Sequence, residues 1–230
     1  GNTLFLNVLF IAATTITSVA IAIMLAEISN KWVKKITQSI VILPHFMSWT
    51  IVSMLSVAIL SANGVVNQLI TMVGGKTIEF YNTPSVWPAI LVILKVWQGA
   101  GFGSIVYLAT ITGIDASIYE AAAVDGASKT QCIFKVTLPM LKNTIIMLTI
   151  MSVGKIFNGD FGMIYAMVGS NSILYPTTDV IDTYLFRQLL ENPSMGQTAA
   201  VGLIQSILGF GFVVLCNKVA NKWSPESALF

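Results

Sequence analysis

Hydrophobic positions in this chain fall into long blocks, not into strand-like alternation. The first block covers residues 4–26 and is broken only by Asn, Thr and Ser. At about 1.5 Å per residue, a helix of that length crosses a hydrocarbon layer of roughly 30 Å. A second block covers 36–60, with Pro44 inside it as an expected kink whose freed carbonyl neighbouring helices satisfy. A third covers 86–111 and holds Gly99 and Gly103, four apart, a spacing that lets helices approach closely in lipid. A fourth starts near Met140 and runs to about Val168, interrupted by GKIFNGDFG, and a fifth covers 195–216. The pattern predicts an all-α fold: a polytopic transmembrane helical bundle with five visible spans, read as one domain over 1–230.

Four polar stretches separate the spans, the first being residues 27–35 with Lys31, Lys34 and Lys35. Residues 61–85 have turn residues at both ends and a short amphipathic piece, expected as a loop with one surface helix. Residues 169–194 carry Asp179, Asp182, Arg187 and Glu191. Residues 113–139 hold Asp115, Glu120, Asp125, Lys129 and Lys135. Inserting those five charges would cost roughly 15 kcal/mol at about 3 kcal/mol each, so this stretch stays outside the bilayer. "SIYEAAA" is strong helix sequence, Gly126 offers the positive φ that ends a helix, and Ser128 can cap a second one. Pro139 is expected to mark the return to the membrane. The stretch therefore reads as a small-surfaced helix–turn–helix bracket. On physics alone, a solvated loop with ordinary caps fits it equally well.

Composition agrees with lipid as the solvent. The chain is 55% hydrophobic and 10% charged, against about 25% charged in soluble domains. Eight of the 12 Lys and Arg residues fall at the end of the first span, in the bracket and its exit, and in the tail: Lys31, Lys34, Lys35, Lys129, Lys135, Lys142, Lys218 and Lys222. The positive-inside rule places these, and the C-terminus, in the cytoplasm. Cys132 and Cys216 then face a reducing compartment, and neither has a zinc or CxxC spacing. The first apolar run is too long for a cleavable signal peptide and has no basic residues before it. A net charge of +2 gives no reason to expect a nucleic-acid partner.

Chemistry-bearing residues are few. Lys95 and Gln98 lie a turn apart on the third span, and Lys155, Asn158 and Asp160 lie in the break of the fourth. Ionisable residues within spans face cavities or partners, and broken helices frame transport sites. Lys95, Gln98, Asn158 and Asp160 are thus candidates for a substrate path, with an internal Lys–Asp pair as the competing role. Trp97, Phe157 and Tyr165 could offer aromatic faces to a sugar. His45, beside Pro44, is expected to pack against the kink. Gly74-Gly75-Lys76-Thr77 lacks the earlier glycine of a phosphate-binding loop, since position 70 is Ile. No metal, nucleophile or paired-carboxylate constellation suggests an enzyme or a cofactor site.

The spacing Glu120-Ala121-Ala122, Gly126, then Val136-Thr137-Leu138-Pro139 resembles the EAA signature of permease subunits of binding-protein-dependent ABC importers, with Val136 where Ile is commoner. "ILPHFMSW", "GIDASIYEAAAVDGAS", "TTDVIDTYLFR" and "AAVGLIQSILGF" resemble the sugar-importer branch, in particular LplB-like oligosaccharide permeases. The resemblance implies a type I importer fold with one more N-terminal span, so five of six are visible. It implies a coupling loop at about 113–139, docking in a groove of a cytosolic ATPase subunit. There Glu120, Ala121, Ala122 and Asp125 would meet the ATPase, Gly126 would set the bend, and Leu138 and Pro139 would orient the return helix. It further implies a second permease subunit as a heterodimer partner, two ATPase subunits that bind ATP and Mg, and an extracytoplasmic solute-binding protein received by 61–85 and 169–194. The setting is the inner (cytoplasmic) membrane, with no cofactor in this chain. The residues leave open a non-sugar solute on the same scaffold, and a channel or receptor with no ATPase.

Overall fold

The structure is a computed structural model that describes residues 1–191 and 195–223. Its elements in order are α1 (Asn2–Glu27), α2 (Lys31–Ile42), α3 (Trp49–Leu60), α4 (Val65–Met72), α5 (Trp87–Thr112), α6 (Ala116–Val124), α7 (Lys129–Cys132), α8 (Leu138–Val153), α9 (Phe161–Val168), α10 (Tyr175–Thr178), α11 (Ile181–Glu191) and α12 (Met195–Trp223). No strand occurs among the described residues. Among the described residues, five helical stretches are long and apolar enough to cross a membrane: Asn2–Glu27, Trp49–Met72, Pro84–Thr112, Lys129–Val153 and Gly196–Lys222.

Two of these differ from the sequence reading. The block over 36–60 is not one kinked helix. α2 ends at Ile42, a 3₁₀ turn follows at Leu43–Phe46, and α3 restarts at Trp49. Pro44 has no N–H to continue the ladder, and the Ser48 side chain accepts from the Ile51 N–H, so the helix restarts instead of bending. The long apolar stretch is Trp49–Met72, which takes in α4, the piece read as a loop helix. The second difference is at Pro139. It does not begin a new segment. α7, a π turn at Ile133–Thr137 and α8 run on as one helix. The fourth block does break as expected, between α8 and α9. Residues 192–194, which close the polar stretch 169–194, and 224–230 of the tail lie outside the described residues.

The chain forms two compact units. One takes in Gly1–Phe10, Phe46–Lys95 and Lys155–Gly209. Its core joins Leu6 and Phe10 of α1, Val52 of α3, Trp87 and Leu91 of α5, and Met163, Ile164 and Met167 of α9. The fully buried Trp87 donates to the Phe80 carbonyl at 2.7 Å and meets the Tyr81 ring edge-on at 5.0 Å. Asn67 clips the 61–85 segment. Its amide donates to the Ser61 and Ile78 carbonyls at 2.9 Å and accepts from the Ile78 N–H at 2.7 Å. Asn171 donates to the Tyr81 carbonyl and Thr177 to the Pro84 carbonyl, so the two polar stretches expected to lie outside are tied together.

The other unit takes in Ile11–His45, Val96–Gly154 and the chain from Phe210. Val19, Ala22 and Leu25 of α1 pack on Tyr107, Leu108 and Ile111 of α5 and on Leu141 of α8. Of the two glycines in the small-residue stripe, Gly103 marks a close approach, whereas a Cβ on Gly99 would meet only Thr14 Cγ2 at 3.8 Å, an ordinary contact. The Ser18 hydroxyl donates to the Ala100 carbonyl at 3.0 Å, and a Cβ on Gly103 would lie 2.7 Å from Ser18 Oγ. Gly101 serves a different neighbour, since a Cβ there would lie 2.0 Å from the Val41 carbonyl oxygen of α2. His45 stacks on Phe102 with centroids 4.2 Å apart and planes within 6°. Gly101→Ala is expected to cost about 2 kcal/mol or more, because the obstacle is backbone. Gly202→Ala, with nothing within 4 Å of its Cβ, should be neutral or stabilising. Equal thermal unfolding midpoints of the two variants in detergent would refute the close α2–α5 contact.

Candidate functional site

The bracket is built by local rules that can be read atom by atom. Asp115 caps α6 by accepting the Ser117 N–H at 2.9 Å. That backbone bond, with the Ser117 hydroxyl, holds the Asp115 carboxyl below the usual carboxylate range, so the cap is ionised at neutral pH. α6 ends in a Schellman turn. Gly126 takes φ +76°, its N–H reaches the Ala123 carbonyl, and the Ala127 N–H reaches the Ala122 carbonyl. Nothing lies within 4 Å of a Cβ at 126, so conformation and not space requires the glycine. Ser128 and Gln131 then form a reciprocal capping box for α7.

The side chains this frame presents are mostly exposed. Glu120, Ala121 and Asp125 stand outward, Ala122 is half-buried, and no carboxylate of α6 or its cap has an ion-pair partner among the described residues. Val124, absent from the expected contact residues, is 88% exposed at the tip of α6, and Phe134 on the return arm is exposed as well. An exposed branched apolar side chain at a helix end cannot be recognised from sequence without knowing which face is bare. Leu138 is half-buried in the core around Leu141, and Pro139 lies in the first turn of α8.

The second candidate site is the break between α8 and α9. Lys95 pairs directly with Asp160, and its ammonium also lies 5.8 Å from the Trp49 ring. The side chains are 31% and 23% exposed. Asp160 caps α9 through the Met163 N–H. The structure thus favours the internal pair, which cancels two charges that would each be costly in lipid. Gln98 belongs to the other unit. Asn158 contributes its carbonyl, which accepts from Asn7. Lys155 is exposed and has no ion-pair partner among the described residues.

What holds the break open was not foreseen. Asn7 of α1 donates to the Ile156 and Asn158 carbonyls at 3.0 and 2.9 Å. Gln205 of α12 donates to the Phe157 carbonyl at 2.8 Å. The Asp182 carboxylate of α11 accepts the Gly159 N–H. Non-helical backbone at membrane depth persists only where protein groups satisfy it, and three elements do so here. Isolated amides in apolar runs were the available signal. Next to the break, Tyr165 stacks on Phe161 at 5.2 Å and meets Phe186 edge-on at 5.0 Å. Arg187 binds Asp179 through two nitrogens, at 3.0 and 2.6 Å, and lies 4.0 Å from the Tyr175 ring. That carboxylate contact raises the Arg187 pKa.

Comparison with known proteins agrees with this geometry. Residues 18–223 match the family described as binding-protein-dependent transport system inner membrane component. The chain is 32% identical to the polygalacturonan/rhamnogalacturonan transport system permease protein YteP of Bacillus subtilis (strain 168), over 98% of this chain and 70% of that one. It is 31% identical to protein LplB of the same organism, over the same shares. A chain of a bacterial alginate ABC transporter, solved in complex with an alginate pentasaccharide-bound periplasmic protein, superposes with a TM-score of 0.90 at 34% identity. That match covers 97% of this chain and 77% of the other. The chain belongs to the binding-protein-dependent transport system inner membrane component family. It is a multi-pass permease subunit of the cell membrane and not an enzyme; ATP hydrolysis belongs to separate subunits.

Proposed function

We propose that this family member forms part of the translocation path for an oligosaccharide handed over by an extracytoplasmic binding protein, with uronate-containing chains the first to test. It works by alternating access, with a second permease subunit beside it and two ATPase subunits beneath. ATP and Mg are held by those ATPase subunits. The bracket from Asp115 to Pro139 faces the cytoplasm, as does the C-terminus, and docks in the ATPase groove through Glu120, Ala121, Ala122 and Asp125. The tied segments 61–85 and 169–191 receive the binding protein.

The observation that carries this reading is the bracket itself: two separately capped short helices, largely exposed, whose Glu120 and Asp125 have no ion-pair partner among the described residues. Charge and exposure together describe a surface made to be covered by another protein. The substrate class is supported by the relatives, which are named for polygalacturonan, rhamnogalacturonan and alginate. The test is uptake into vesicles holding the full assembly, with labelled uronate and neutral oligosaccharides of equal length. Uptake should require ATP inside and the binding protein outside. Equal uptake without either would sink the importer reading, and uptake confined to non-sugar solutes would sink the substrate class.

A further inference from the structure

A bracket that moves a membrane helix must be stiffly joined to it, and the joint here is specific. Among the described residues, α6 has one side-chain hydrogen bond to another element: Tyr119 Oη to Thr137 Oγ1, at 3.0 Å. Thr137 is the last residue of the π turn and only 5% exposed. Its hydroxyl also lies 3.5 Å from the Cys132 carbonyl. The π turn has a cause in the sequence. Pro139 supplies no N–H, and in α geometry its ring would strike the Lys135 carbonyl. The turn widens instead, and the Leu138 N–H reaches back five residues to the Ile133 carbonyl. The extra residue turns the helix face at that point, and this brings Thr137 under Tyr119.

We propose that the Tyr119–Thr137 bond, made possible by the π turn that Pro139 forces, is the strut that fixes the angle between the bracket and the helix leading into α8. Both are positioning residues. Without the strut, α6 is held between two turns, Gly113 after α5 and Gly126 before α7, and motion at Glu120 is absorbed in them. A solvent-exposed pair, Lys129 to Glu27 at 3.8 Å, is too weak to replace it. The inference rests on the reading of the bracket as the ATPase contact.

The test uses the complete importer in vesicles and reads solute moved per ATP hydrolysed. Tyr119→Phe and Thr137→Val each remove one hydroxyl and keep the shape. Each should lower the ratio about fivefold, the change expected when one hydrogen bond of ordinary net strength is lost. Thr137→Ser should restore it. The double variant should be no worse than either single, because both remove the same bond. The strut is overturned if the two singles leave the ratio unchanged while Glu120→Arg lowers it. It is equally overturned if Thr137→Ser falls as far as Thr137→Val, or if the two losses multiply. If Glu120→Arg also leaves the ratio unchanged, the coupling reading itself fails and the strut with it.

Discussion

Asn7→Leu is expected to lower the thermal unfolding midpoint of the detergent-solubilised protein by roughly 10 °C. The substitution strips partners from the carbonyls of Ile156 and Asn158 and leaves the break in place. The Ile156 carbonyl left unpaired costs about 1–3 kcal/mol, the exposed Asn158 carbonyl somewhat less, and leucine offers no replacement. The total of about 2–5 kcal/mol converts to several degrees or more for a chain of this size. Gln205→Leu should fall by about half as much, since it frees the single carbonyl of Phe157. The order matters as much as the size. A hydropathy argument predicts the reverse sign, because both variants make their spans more apolar. A midpoint for Asn7→Leu at or above wild type would mean that the carbonyls find other partners.

Glu120→Arg should leave the protein folded and the importer nearly inert. Glu120 is exposed and has no ion-pair partner among the described residues, so its loss costs the subunit little. Against a basic groove, a reversed charge turns an attraction into a repulsion worth about 2–5 kcal/mol. That corresponds to a loss of roughly 30-fold or more in ATPase binding. Gly126→Val acts through conformation: φ +76° costs a branched residue about 1–2 kcal/mol, and the end of α6 unwinds. Co-purification of the ATPase subunit with each variant decides the matter. Undiminished binding to Glu120→Arg would refute docking through this residue.

The parts of the fold that were legible in the sequence obey local rules. Apolar length marked the long helices, and Gly126 and Ser128 ended and restarted helices where the caps now stand. The break at GKIFNGDFG was visible as glycine and polar residues in an apolar run. Illegible features had their causes elsewhere in the chain. Asn7 and Gln205 looked like tolerated polar residues, because the carbonyls they serve lie 149 and 48 residues away in sequence. Continuity through Pro139 depended on a π turn, whereas proline ordinarily signals a boundary. The block over 36–60 was read as one helix, because apolar character does not register that Ser48 can start a new one.

The clasp around the break also sets an order of events during synthesis. Asn7 emerges from the ribosome 149 residues ahead of Ile156. At about 5–20 residues per second, roughly 8–30 s pass before the Ile156 carbonyl arrives, and until then the Asn7 amide has the Thr3 carbonyl of its own helix as its acceptor. Gln205 closes the arrangement later still. Until α12 is inserted, the Phe157 carbonyl of the break lacks the Gln205 amide. Truncated or stalled chains therefore display polar groups in lipid, the kind of defect that membrane proteases and insertase chaperones are able to detect.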